Sequence, residues 1–398
     1  MKLAARVNRI APSPTLAMAA KAKAMAAQGL DVIDFSAGEP DFDTPEPVKA
    51  AAEAAIRAGF TKYTPSSGIE ELRGAIVDKF RTELGVQYDK SQVLVSCGAK
   101  HSLYNLGEAL LEAGDEIIIP TPYWVSYSDQ ALLNDATPIL LPTKEADGYA
   151  MHAAELEARI TPRTKAIIIN SPCNPTGATY DRKTLEMIAD AAIRHDLLVI
   201  SDEIYEKVLY DGATHLSIAS LSPEVAARTI IINGVSKAYA MTGWRIGYAA
   251  GPKALIAAMG NIQSQSTSNP CSISQKAAVA ALRIGEPFTV KMVEEFARRR
   301  RVIVEGLNAI PGISCPMPNG AFYAFPNISG LLGKRGPTGL LKTPNDVAQY
   351  LLQDSHVAVV PGEPFGSQEH LRLSYATSME NIKKGLERLT QAFSKLTA

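Results

Sequence analysis

Cysteine is scarce in this chain. Cys97, Cys173, Cys271 and Cys315 are scattered through 398 residues without a close pair, so neither a disulfide framework nor a zinc site is expected. An excess of charge of one sign is also missing. With 40 basic and 41 acidic residues the formal net charge is −1, and no footprint for nucleic acid or an anionic membrane surface stands out. No uncharged apolar run is long enough to span a bilayer, and the opening Met-Lys-Leu-Ala-Ala-Arg-Val-Asn-Arg-Ile lacks the apolar stretch of a secretory signal. The expectation is a cytoplasmic protein that works on small molecules, with no membrane or nucleic-acid partner. Internal repeats and low-complexity tracts are absent as well.

What is present is a large apolar complement, 46% of residues against 20% charged, enough for two domains or for one with an appendage. Short apolar runs bounded by turn residues alternate with longer helical stretches, the pattern of βα units and a mostly parallel sheet. Seven strands are predicted, at Val93–Ser96, Glu116–Ile119, Pro138–Leu141, Ala166–Asn170, Leu197–Ser201, Thr229–Ile232 and Gly247–Ala250. Helices are predicted at Lys100–Leu111, Leu185–His195 and Pro252–Gln265. After about residue 288 the texture changes. A long charged helix over Phe288–Leu307, short strands near Phe322 and Val357, a Gly-rich loop over Leu331–Lys342 and a final helix from Asn381 predict a second, smaller domain. The four arginines 298–301 point all round such a helix and read as a solvated face.

Several polar motifs fall just after the carboxyl ends of the predicted strands, where open α/β sheets bind ligands. Lys237 follows the strand Ile-Ile-Ile-Asn-Gly-Val, with Ser236 beside it and Arg245 eight residues on. An amine placed to form an imine and two groups able to hold a phosphate point to pyridoxal phosphate chemistry. Alone, Lys237 reads as a solvated lysine with its stem over apolar neighbours. Cys-Gly-Ala-Lys-His-Ser, residues 97–102, puts Gly98 at a strand-to-helix turn, where backbone N–H groups and the positive helix end meet phosphate. Ser-Pro-Cys-Asn-Pro-Thr-Gly, residues 171–177, presents the Asn174 amide from a rigid loop, and Asp202 leaves its strand three residues before Tyr205. Each motif has a plain structural reading. Together they supply what a pyridinium cofactor requires: an acid for the ring nitrogen (Asp202), an amide and a phenol for the ring oxygen (Asn174, Tyr205), an aromatic face (Trp124) and a phosphate cup.

Through these motifs the chain resembles the class I, fold-type I aminotransferases, and within them the bacterial-type aspartate aminotransferases. The resemblance also rests on Ala-Gly-Glu-Pro-Asp-Phe-Asp-Thr-Pro (37–45), Thr-Lys-Tyr (61–63), the run from Ser236 to Tyr248, and Leu-Arg-Leu-Ser-Tyr-Ala-Thr-Ser (371–378), which follow one another in family order along the chain. It implies a large α/β domain, residues 47–288, with a seven-stranded sheet flanked by helices. A smaller α+β domain is implied from the N-terminal segment, residues 1–46, with residues 289–398. It further implies that Lys237 carries the cofactor and moves the proton at the substrate Cα, and that Asp202 holds the ring nitrogen. Asn174 and Tyr205 then bind the ring oxygen and Trp124 stacks on the ring. Gly98, Ala99, Ser236 and Arg245 hold the phosphate with Lys100 beside them, and Tyr63 reaches in from the neighbouring subunit of a homodimer. Arg372 and the Gly38 backbone receive the substrate α-carboxylate, in contact with Trp124 and Asn174.

The same resemblance assigns Lys100, Ser13 and Thr15 to the distal carboxylate of aspartate or glutamate. Transamination between L-aspartate and 2-oxoglutarate is therefore expected. Prephenate, which also carries a second carboxylate, is the alternative or additional substrate. Many relatives read Lys-Pro-Ser-Ala-Thr where this chain reads Ala-Pro-Ser-Pro-Thr, departing at Ala11 and Pro14. A β-lyase or decarboxylase on the same cofactor, and a cofactor-binding protein without catalysis, complete the readings.

Overall fold

Runs rich in isoleucine and valine dominate the middle of the chain, and in the computed structural model they become one sheet. The structure describes residues 1–398 except Lys2, Ala11, Ser13, Glu286 and Ala398. The strands are β1 (Val93–Ser96), β2 (Glu116–Thr121), β3 (Thr137–Pro142), β4 (Thr164–Asn170), β5 (Leu198–Asp202), β6 (Thr229–Gly234) and β7 (Gly247–Ala250). Their spatial order is β1-β7-β6-β5-β4-β2-β3. All seven predicted strands are present, most a residue or two longer than the apolar run that marked them. The pairs β3–β2, β2–β4, β4–β5 and β5–β6 are parallel, whereas β7 runs antiparallel to both β6 and β1.

Helices cover both faces, so the central strands are buried along nearly their whole length and carry continuous rather than alternating apolar residues. The period of two still sorts the side chains. Ile117, Ile119, Ile168 and Ile200 enter one core, and Ile118, Ile167, Ile169 and Val199 enter the core on the other face. Edge strand β3 is mostly exposed or half-buried, and Pro138 and Pro142 blunt its free side. Helices follow the strands close to the predicted positions, at Ala99–Leu110, Arg182–Arg194 and Lys253–Ser266.

A separate core is built from the two ends of the chain. Met18, Ala22, Ile33 and Phe35 pack with residues of helices Pro287–Asn308, Pro344–Ser355 and Met379–Ser394. Beside them lies a three-stranded antiparallel sheet of Val360–Pro361, Leu371–Ser374 and Tyr323–Ala324, while Ile33–Asp34 pairs in parallel with Val357–Ala358. Tyr205, Val208 and Tyr210, just beyond β5, also enter this core and join it to the large sheet.

Three local expectations change. The arginine run is not a solvated face: Arg298 and Arg301 are exposed, but Arg299 and Arg300 are buried. Arg299 bonds Asp41 at 2.7 Å, and Arg300 bonds both oxygens of Asp211 and the Pro318 carbonyl. Two consecutive positions of a packed helix can face inward when each guanidinium finds a carboxylate. Within the predicted loop Leu331–Lys342, Arg335–Gly336 and Gly339–Leu340 form a short antiparallel hairpin. The third is a set of helices not named from the sequence, among them Pro14–Ala27, whose alanine-rich sequence has little periodicity to mark it.

In helix Met379–Ser394, a Cβ on Gly385 would overlap the ring of Phe35. Gly385→Ala is therefore expected to destabilise the protein by about 1–3 kcal/mol, overriding alanine's helix advantage of about 1 kcal/mol. Gly74→Ala, in helix Glu70–Lys79 with its nearest neighbour at 3.4 Å, serves as control and should be neutral or stabilising. Urea midpoints check both, and an unchanged midpoint for Gly385→Ala would contradict the packing argument.

Candidate active site

Because β1, β2, β4, β5 and β6 point the same way, the loops after them open on one edge of the sheet, and β7 begins there. A cavity of about 420 Å³ lies at that edge, within the range of small-molecule sites. Its lining includes Gly38, Ala99, Lys100, Trp124, Asn174, Asp202, Tyr205, Ser236, Lys237, Arg245, Arg372 and Thr15. Residues separated by more than 300 positions in the chain thus share one space. Gly98 lies against it through its contact with the Arg245 guanidinium. Ser13 falls outside the described residues. Tyr63 is not in the lining and is 93% exposed.

Asp202 ends β5 and is 3% exposed. It accepts hydrogen bonds from Tyr127 Oη at 2.7 Å and from the Ile204 amide at 3.2 Å, both neutral donors. Burial pushes its pKa up to about 6, and the hydrogen bonds from Tyr127 and Ile204 and the charge of Lys237 offset only part of that rise. Lys237 has the complementary problem. Burial pulls its amine down to about 8, with Glu39 acting in the opposite sense and Arg372 and Arg245 in the same one. Its Nζ donates to the Gly38 carbonyl.

Arg372 stands on strand Leu371–Ser374 and is 1% exposed. One terminal nitrogen donates to Asn174 Oδ1 at 3.1 Å and the other to the Ser36 carbonyl at 2.7 Å, and its Nε has no hydrogen-bond partner. The guanidinium lies 4.6 Å from the ring centre of Tyr323, and burial lowers its pKa. A buried cation with neutral partners and a spare donor is suited to an incoming carboxylate. Tyr205 Oη bonds Tyr323 Oη at 2.7 Å, which fixes both phenols at the cavity wall.

Gly98, with φ of 92°, caps helix Ala99–Leu110, whose first residues Ala99 and Lys100 line the cavity. A Cβ there would overlap the Arg245 guanidinium, so glycine is what lets Arg245 lie against this turn. Arg245 donates to the Thr242 and Cys97 carbonyls, again neutral groups. At the other wall Lys100 Nζ sits 4.8 Å from the ring centre of Trp124, whose ring meets Tyr127 edge-on at 5.4 Å. Burial and the nearby Arg245 lower the Lys100 pKa.

Sequence reasoning missed Tyr127, Tyr323 and Glu39. Tyr127 carried a signal, standing one helical turn after Trp124 in Pro-Tyr-Trp-Val-Ser-Tyr. Tyr323 carried none, because only the three-stranded sheet sets it beside Arg372. A second polar cluster, Glu203, Glu206 and His215, brings its ligand atoms within 4.8 Å of one another. Its charges are already matched. Lys79 Nζ pairs with Glu206 and lies 3.2 Å from Glu83, and His215 Nε2 is 2.9 Å from Glu203.

The sequence profile described as "Aminotransferase class I and II" matches residues 30–389. The chain belongs to this aminotransferase family. It is 48% identical over 389 residues to the aspartate aminotransferase of Geobacillus stearothermophilus, covering 98% of both chains. It is 49% identical over 387 residues to the aspartate/prephenate aminotransferase of Cereibacter sphaeroides, covering 97% of this chain and 96% of that one. The crystal structure of the Rhizobium meliloti aspartate aminotransferase superposes with a TM-score of 0.96 at 47% identity, covering 100% of both chains. That of the Thermus thermophilus enzyme with maleate gives 0.93 at 43% identity, covering 98% of this chain and 100% of that one.

The residues present fit the cofactor that aminotransferases of this family use. Asp202 is a buried acid bonded only to neutral donors, Arg245 beside Gly98 is a cation bonded only to neutral carbonyls, and Lys237 is a half-buried amine of lowered pKa. The state of Asp202 is measurable without cofactor. Its pKa rises from 3.8 unfolded to about 6 folded, so the folded protein holds the proton more tightly. The stability of the cofactor-free protein should therefore fall as pH rises from about 4 to 6, by on the order of 3 kcal/mol from this group. In Asp202→Asn that component should vanish. Parallel stability profiles of the two proteins in urea across this range would contradict the assignment.

Proposed function

We propose that this aminotransferase transfers the amino group of L-aspartate to 2-oxoglutarate on pyridoxal phosphate, working as a homodimer in the cytoplasm. Among the described residues no helix is long and apolar enough to cross a membrane. The observation that carries the substrate reading is the pair of lysine and arginine side chains on the cavity wall, Lys100 beside Trp124 and Arg372 beside Tyr323. A substrate with two carboxylates satisfies both. The relatives named aspartate aminotransferase support this, as does the neighbour solved with maleate, itself a dicarboxylate.

When bound, pyridoxal phosphate supplies an electron sink that acidifies the substrate Cα–H. The chain's own residues do the rest in this proposal. Asp202, kept ionised by the ring nitrogen it would face, holds that nitrogen protonated, and Tyr127 orients the carboxylate. Asn174 and Tyr205 bind the ring oxygen and Trp124 covers the ring face. The helix start after Gly98, with Ala99, Ser236 and Arg245, takes the phosphate, joined by Tyr63 from the neighbouring subunit. The exposure of Tyr63 in the single chain agrees with that role. Arg372 and the Gly38 backbone fix the α-carboxylate, which sets the Cα–H before Lys237 Nζ. Burial holds the Lys237 pKa down, to about 8, which favours the neutral amine able to accept that proton.

The common core of the chain's two ends supports a division into residues 1–46 with 289–398 and residues 47–288. Closure of the first unit over the cavity would exclude water from the proton transfer. The aspartate/prephenate relatives favour a second reading, in which Lys100, Ser13 and Thr15 accept prephenate as well.

Lys237→Ala is expected to bind the cofactor yet transaminate at a rate lower by about three powers of ten or more, since the proton carrier is gone. Near-normal single-turnover rates would overturn its role. Lys100→Ala should lower kcat/KM for aspartate by about a hundredfold while costing an uncharged amino acid little, the difference being one charge-assisted bond. Equal losses on both donors would remove Lys100 from the side-chain pocket. Comparing aspartate and prephenate side by side in the same assay decides between the two substrate readings.

A further inference from the structure

The loop between helices Glu46–Arg57 and Glu70–Lys79 carries Tyr63, and it is held by two glutamines that touch no part of the cavity. Both are fully buried, at 0% exposure. Gln275, on helix Ser272–Arg283, accepts from the Ile69 amide at 2.7 Å and donates to Thr64 Oγ1 at 3.1 Å and to the Pro270 carbonyl at 2.9 Å. Gln263, on helix Lys253–Ser266, donates to the Ser66 carbonyl at 2.6 Å and the Val95 carbonyl at 2.7 Å, and accepts from Asn105 Nδ2 at 3.0 Å. Ser272 Oγ adds a bond to the Phe60 carbonyl at 2.9 Å. Gly68, at φ of 98°, lies so close to Val95 that a Cβ there would overlap it.

Such an arrangement exceeds what an ordinary surface loop needs. Burying an amide is unfavourable unless its donors and acceptor are bonded, and here every bond but those to Pro270, Val95 and Asn105 goes to the loop. The tethers fall at Phe60, Thr64, Ser66 and Ile69, on both sides of Tyr63. The residue between them, 93% exposed, projects from a fixed base. Val95 and Asn105 belong to β1 and to the helix after Gly98, so Gln263 also ties the loop to its own chain's phosphate cradle.

We propose that Gln275 and Gln263 are positioning residues that set Tyr63 for the phosphate held in the neighbouring subunit. The inference rests on the reading of Tyr63 given above. Their action is on cofactor affinity through Tyr63, with no contact to substrate.

The test is a double-mutant cycle on the dimeric enzyme, reading the pyridoxal phosphate dissociation constant by absorbance and fluorescence titration. Tyr63→Phe and Gln275→Leu should each weaken binding by about tenfold, the loss of roughly one hydrogen bond to a charged group, and the double variant should be little weaker than either alone. In Gln275→Leu at saturating cofactor kcat should stay within about twofold of the parent, because no reacting group has moved. Thr64→Val removes one acceptor while leaving Gln275 bonded to Pro270, and should show a smaller effect of about threefold with the same coupling. It carries the test if Gln275→Leu fails to assemble. Fully multiplicative effects, or unchanged affinity in the Gln275 and Thr64 variants while Tyr63→Phe weakens binding, overturn the proposal alone. Unchanged affinity in Tyr63→Phe overturns the reading of Tyr63 and the proposal with it.

Discussion

A carboxylate sealed from water with only neutral hydrogen-bond donors is the constraint around which this structure is arranged. Asp202 sits at the end of a central parallel strand, 3% exposed, and its pKa near 6 measures how poorly an ionised form is served by the protein alone. Its position follows from the sheet order. Flanked by β4 and β6, β5 delivers its last residue to the middle of the carboxyl edge, with Asn170 and Asn174 from one neighbour and Ser236 and Lys237 from the other. The fold places an acid where a cation is needed. The aminotransferase family's cofactor carries such a cation in its ring nitrogen.

The second constraint is that Lys237 be held close without being consumed by an ion pair. The segment Gly38–Thr44 provides this by lying across the lysine turn. The Gly38 carbonyl receives Nζ, Glu39 receives the Thr242 hydroxyl at 2.6 Å, and Thr44 bonds the Ala240 carbonyl at 2.7 Å and the Trp244 indole at 2.9 Å. A neutral acceptor keeps the amine free to lose its proton, and Glu39 tempers the fall in pKa that burial and two arginines impose. The tethers thus link the N-terminal segment to the Lys237 turn mechanically as well as electrically.

The strands were legible because parallel strands buried on both faces read as unbroken isoleucine and valine, and the polar motifs after them were legible because strand ends are short and punctuated. Asp202, Asn174 and Lys237 were singled out in this way, and all three line the cavity. The resemblance supplied Arg372, whose strand holds only four residues and whose partners, Ser36 and Asn174, lie 336 and 198 positions away. Arg300 was misjudged because nothing local announces Asp211 as its partner. Gln263 and Gln275 were invisible for the same reason. A glutamine on a helix shows no preference for core or surface until the loops it serves are folded onto it.

Buried charge in this protein comes in two kinds, and the difference separates scaffold from site. Arg300 with Asp211, and Lys79 with Glu206, Glu83, Lys207, Glu203 and His215, are closed groups in which every cation meets a carboxylate. In His215, burial pulls the pKa down but the Glu203 charge more than offsets it, so the net shift is upward. Asp202, Lys237 and Arg372 are open: Asp202 and Arg372 are buried and Lys237 half-buried, each contacts only neutral hydrogen-bond partners, and all three line one cavity. Replacing a member of a closed group strands a charge and costs stability. Replacing a member of the open set relieves one, at the expense of the ligand that would have completed it. A cavity lined by incomplete charges is therefore a standing cost to the fold, one that a ligand completing them would recover on binding.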